Sequence, residues 1–258
     1  MQTLSEFEIS VLEHLALILP LPERVDDDKI FPDPTRKYTP EELAALLHLY
    51  GKYRDMTELE ILHEYVDYAL DLIKDFPRLP EMTRLITEVA DLGRKKIIHT
   101  PAWIHKALQD AVTRHTGNPT ELVEPLLLLY LVNNDKAAQR KAKQIINSCY
   151  LAALESETEL NGRIDCLHIA VTCCDYVSRF NVRKAGEAWN EISRRIFAES
   201  YNLSPDKIFN LLNAANELAG YTPIPSEARR KLKDKLKETA TPHSIAACAY
   251  SRYTELYL

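Results

Sequence analysis

Glycine is scarce in this 258-residue chain, with six residues in all, and the alternating Val/Ile/Thr-rich runs that announce strands are missing. Their absence excludes a sheet, and the chain reads as all-α. Long apolar runs are missing too. The longest, LVEPLLLLYLV from Leu122, is eleven residues and contains Glu124 and Pro125. A membrane-spanning helix needs about 20 apolar residues, so a soluble protein without a membrane partner is expected. Five cysteines at 149, 166, 173, 174 and 248 make an odd count without regular spacing. That argues against a disulfide framework and for a reducing compartment.

Signatures of catalysis are absent as well: there is no glycine-rich phosphate loop, nucleophile elbow or kinase motif. In HEYVD, the residue four after His63 is Asp67, where a zinc-protease helix needs a second histidine. Asp26, Asp27 and Asp28 are followed by Lys29 and Ile30 and flanked by prolines, so they read as a solvated acidic loop rather than a magnesium site on a helix. Cys166, His168, Cys173 and Cys174 gather on one predicted helix, but their spacing matches no structural zinc pattern. Adjacent Cys173 and Cys174 would diverge by about 100° there. Core-facing thiols and a hydrogen-bonded core histidine are expected instead. The chain is therefore expected to be no enzyme: no catalytic residues, no metal, no cofactor and no small-molecule substrate.

What is present is a helix-opening pattern that returns six times. The windows are TPEELAALLHLY from Thr39, LPEMTRLITEVA from Leu79, NPTELVEPLLLL from Asn118, LNGRIDCLHIAV from Leu160, LSPDKIFNLLNA from Leu203 and ATPHSIAACAYS from Ala240. Five carry a proline just before the helix, with Thr39, Asn118, Ser204 and Thr241 placed as N-caps. The first apolar residues are Leu43, Met82, Leu122, Ile164, Ile208 and Ile245, about forty residues apart. The positions three, four and seven later continue one apolar stripe. Gly93, Gly117 and Gly220 fall where these helices should stop, as left-handed C-caps.

Second helices are predicted over Glu58 to Asp75, Pro101 to His115, Asp135 to Leu154, Val182 to Glu199 and Pro225 to Lys237. A helix pair alone encloses no core, so neighbouring pairs must stack. The expected fold is an all-α, right-handed solenoid of about five to six stacked helix pairs. An irregular helical bundle is the alternative. Residues 1–38 read as an N-terminal capping helix, Leu4 to Ile18, followed by a Pro/Asp-rich linker; residues 39–258 read as the repeat domain, its last window a short C-terminal cap.

Formal charge is −6, unevenly placed: residues 1–80 hold 8 basic and 17 acidic side chains, leaving 24 and 21 for the remainder. Basic clusters occur at Arg94, Lys95 and Lys96; at Arg140, Lys141 and Lys143; at Arg194 and Arg195; and at Arg229, Arg230, Lys231, Lys233, Lys235 and Lys237. At equivalent places in stacked units they would line a ridge that tracks a phosphate backbone. The plainer reading is the wet faces of second helices. Tyr50, Tyr53, Tyr130, Tyr176 and Tyr253 fall on or near the apolar stripes, where core packing is their expected role.

The windows TPEELAALLHLYGKYR and SPDKIFNLLNAANELAG resemble the first helices of organellar helical-repeat families. The likeness, over residues 39–258, is to the heptatricopeptide and octotricopeptide type and to the HEAT/armadillo-like subunits of kinetoplastid mitochondrial RNA-editing and ribosomal assemblies. It implies a mitochondrial adaptor in an RNA-processing complex, with protein subunits as partners and single-stranded RNA touched through the basic clusters. A mitochondrial location would require a leader removed from this sequence, because residues 1–20 carry Glu6, Glu8 and Glu13 rather than basic residues. No polar pair recurs at the inner face of each first helix, so a one-base-per-repeat code is not expected. A protein–protein scaffold without RNA contact is the alternative, its acidic N-terminal third meeting a basic partner.

Overall fold

A computed structural model describes residues 40, 43, 44, 47, 59–75 and 82–239. The expected capping helix, the linker and the last window lie outside the described residues. Among the described residues there are nine α-helices and no strand, so the chain is all-α. They are α1 (Leu59–Asp75), α2 (Met82–Arg94), α3 (Trp103–Arg114), α4 (Val123–Asn133), α5 (Lys136–Leu154), α6 (Leu160–Thr172), α7 (Val182–Ala198), α8 (Pro205–Ala219) and α9 (Ser226–Thr239). Short 3-10 turns at Pro119–Leu122 and Cys174–Tyr176 precede α4 and follow α6.

Side-chain oxygens hold several of the helix starts. Asn118 accepts from the Thr120 amide at 3.1 Å, Asp135 from Ala137 and Ala138 at 2.9 and 3.0 Å, and Asn181 from Lys184 at 3.1 Å. Each satisfies amides that a helix leaves without partners. Ser204 stands before Pro205 as expected but makes no capping bond; its hydroxyl bonds the Asp206 carboxylate instead.

The left-handed glycine caps expected from the sequence do not form: Gly220 caps α8 at φ −72°, Gly93 lies within α2, and His115 rather than Gly117 caps α3. No glycine among the described residues has positive φ, and the left-handed positions belong to Lys96, Asn134 and Ser200. Close approach explains two of the glycines. A Cβ on Gly93 would stand 2.4 Å from the Thr100 hydroxyl oxygen, and one on Gly186 would stand 2.5 Å from the Thr222 methyl group. Both let a loop lie directly on a helix. The cysteine expectation also needs correction: α6 ends at Thr172, so Cys173 and Cys174 lie beyond it in the turn and are half-buried.

The apolar stripe is buried wherever it is described. Leu43 and Leu47; Met82, Leu85, Ile86 and Val89; Leu122, Pro125, Leu126 and Leu129; Ile164, Leu167, His168 and Val171; and Ile208, Leu211, Leu212 and Ala215 all face inward. Every helix packs on the next in sequence, and α2 on α4, α5 on α7 and α6 on α8 add contacts two apart. Extensive contacts reach no further along the chain among the described residues. Two apolar cores result. The first is built mainly from α1 to the middle of α5, the second from Ala153 to Leu236, with Leu154 and Phe180 packed against both.

Candidate polyanion-binding face

The fourteen cations singled out from the sequence have unlike surroundings. Arg94 and Lys95 close the α2 C-terminus onto Asp91, whose carboxylate is fully buried: the Arg94 Nη2 lies 2.8 Å and the Lys95 Nζ 2.7 Å from its oxygens. Both cations are committed to this buried carboxylate, a structural task. Lys96 is exposed at φ 58° and borders a shallow, open depression with Gly93, His99 and Thr100.

The densest cluster in the sequence, on α9, is also largely committed to the fold. The Lys231 ammonium stands 3.0 Å from Glu227 and 5.6 Å above the Phe197 ring of α7. Lys235 donates to the Tyr201 carbonyl, and Arg229, Lys233 and Lys235 are half-buried. Glu227, Asp234 and Glu238 lie among them. Arg230 is exposed, and the Lys237 side chain lies outside the described residues. On α7, Arg195 pairs with Glu199 at 3.3 Å and reaches the Ser156 carbonyl, while Arg194 is exposed.

The α5 cluster differs. Arg140, Lys141 and Lys143 are all exposed, and among the described residues none of them enters an ion pair. Lys136 heads the same helix with its ammonium 4.8 Å over the Tyr130 ring. From Lys136 to Leu154 the helix carries no carboxylate at all. Gln144 and Ser148 are exposed beside the cations, and the flanking Asp135 is engaged by two amides as N-cap. The clusters also fail to recur in register: the α5 cations occupy its first turns, whereas Arg194 and Arg195 sit near the end of α7.

Two polar assemblies escaped the sequence reading because their members are far apart in the chain. Arg163, with a fully buried side chain, donates from both terminal nitrogens to Glu191 at 2.9 and 3.0 Å and from Nε to the Ala153 carbonyl at 2.9 Å. Between α6 and α8, Asp165 receives the Lys207 ammonium at 2.5 Å and the Asn210 amide at 3.0 Å. Burial works against the Lys207 charge, but the bonds and charges of Asp165 and Asp206 outweigh it and raise its pKa. Among the described residues no group of His, Cys, Asp and Glu is arranged to hold a metal ion. Burial, helped by Glu124 and Cys174, pushes the Cys173 thiol up to about 12. No described helix is long and apolar enough to cross a membrane.

His168 lies beside this seam, and burial, with a smaller contribution from Lys207, lowers its imidazole from 6.5 to about 4. Between these values the unfolded chain binds a proton that the folded chain refuses. The stabilisation is therefore complete above pH 6.5 and is lost as pH falls to about 4, by about 3 kcal/mol. Urea midpoints measured from pH 7 to pH 4 should fall more steeply for the wild type than for His168→Leu. Parallel curves would show that His168 takes up its proton without cost.

No protein-family model, no curated protein and no solved structure matches the chain significantly.

Proposed function

We propose that this chain is a helical-repeat adaptor in a mitochondrial RNA-processing assembly, a right-handed stack of about five to six helix pairs that binds protein subunits and single-stranded RNA. The observation that carries the adaptor reading is the contact pattern, in which extensive packing joins helices only one or two apart. A chain packed this way grows lengthwise and offers long lateral surfaces to partners. Exposed cations on second helices, those of α5 above all, support the RNA contact.

Recognition on this reading is a surface event. Phosphates are drawn by charge and the chain's order along the stack sets where partners meet. Fluorescence anisotropy with labelled, mixed-sequence single-stranded RNA tests it. Binding at micromolar concentration or tighter, weakening from low to physiological salt, is expected because released counterions drive phosphate contacts. No binding at low salt would leave the protein–protein scaffold, with the acidic residues 1–80 directed at a basic partner.

A further inference from the structure

Resting on that reading, we infer that the RNA-holding face is the start of α5, with Lys136, Arg140, Lys141 and Lys143 contacting successive phosphates, and that the α9 cluster is structural. Three observations converge. First, α5 is the basic helix from which carboxylates are excluded, in a chain where acidic residues outnumber basic ones by 38 to 32. Second, most of the competing cations are engaged, Arg94 and Lys95 by Asp91, Arg195 by Glu199, Lys231 by Glu227 and Lys235 by Tyr201, and the exposed Lys96, Arg194 and Arg230 each stand beside engaged ones.

Third, local energetics disfavour the arrangement. Lys136 and Arg140 stand four apart and Arg140 and Lys143 three apart, spacings at which like charges repel on a helix. Lys136 stands in the first turn, where the helix dipole opposes positive charge and the neighbouring Asp135 offsets it in part. A cluster that costs stability and pairs with no carboxylate among the described residues is explained by an external polyanion. Gln144 and Ser148, exposed on the same helix, add amide and hydroxyl donors and no repulsion toward phosphate. The Tyr130 ring fixes the Lys136 ammonium at the helix start.

The test uses the full chain in two neutralised forms: Lys136→Gln/Arg140→Gln/Lys141→Gln/Lys143→Gln, and Arg229→Gln/Arg230→Gln/Lys233→Gln. Single-stranded RNA contributes about 0.7 to the slope of log affinity against log salt per phosphate contact. Losing four contacts should flatten the slope by about 2.8, so that between about 50 and about 200 mM salt the wild type loses about fiftyfold more affinity than the α5 variant. The α9 variant should keep the wild-type slope. Gln144→Glu, a single exposed change, sets a carboxylate one turn from Arg140 and should flatten the slope by about 0.7, which guards against misfolding of the quadruple variant.

Loss of binding in the α9 variant with the α5 variant unchanged would overturn the assignment while leaving RNA binding intact. Absence of binding by the wild type would overturn the RNA reading itself. Polyglutamate displacing RNA at equal charge concentration would show a face for acidic protein and also overturn it.

Discussion

Replacing Glu191 by alanine should destabilise the protein more than replacing its partner Arg163 by methionine. The Arg163 side chain is fully buried, whereas the Glu191 side chain is 38% exposed. Removing the carboxylate strands a buried guanidinium, at a cost of about 3–5 kcal/mol. Removing the arginine takes the buried charge away and leaves a carboxylate that water can reach. The remaining loss is the partner of the Ala153 carbonyl, about 1–3 kcal/mol. Urea unfolding followed by far-ultraviolet circular dichroism measures both. Equal losses, or a larger one for Arg163→Met, would mean that the guanidinium escapes to solvent when its partner is gone. Acid probes the same pair: the bidentate bond from Arg163, against an opposing burial effect, holds Glu191 below its ordinary pKa of 4.5. The stabilisation is present above 4.5 and is lost as pH falls through the lowered folded value.

Trp189→Ala should cost about 3–5 kcal/mol and also split the unfolding transition. Trp189 is fully buried in the second core, and its indole N–H donates to the Leu211 carbonyl at 2.7 Å. The two cores meet along α5 and α6, where Tyr150 and Ala170 belong to the first, Ala153, Leu167 and Val171 to the second, and Leu154 and Phe180 pack against both. Where contacts are confined to neighbours, damage to one end need not reach the other. In this variant Trp103 is the remaining tryptophan, and it packs against the first core. Helicity should therefore begin to fall at lower urea than the Trp103 fluorescence change. Coincident transitions would show that the two cores unfold as one unit.

The helix layout was legible in the sequence because its signals are local. Proline openings and leucine stripes place Met82, Leu122, Ile164 and Ile208 on buried faces, and the second helices lie within a few residues of their expected bounds. Helix endings were less legible. Glycine was expected to take the left-handed position, yet Lys96, Asn134 and Ser200 take it, while Gly93 and Gly186 answer to the close approach of Thr100 and Thr222. That need depends on tertiary packing. The basic clusters show the same limit. Sequence density favoured α9, but pairing engages Lys231 and Lys235, and the sparser α5 cluster is the one whose cations all face water without an ion pair among the described residues. Arg163 sits inside an apolar window, and nothing nearby in the chain announces Glu191, 28 residues on.

The most direct measurement is photo-crosslinking of 4-thiouridine-substituted single-stranded RNA to the full chain at physiological salt, with the attached peptides located by mass spectrometry. Crosslinks concentrated between Tyr130 and Ser148 are expected. Their absence under conditions of saturating RNA, or their concentration on α9, would contradict an adaptor that holds RNA on α5.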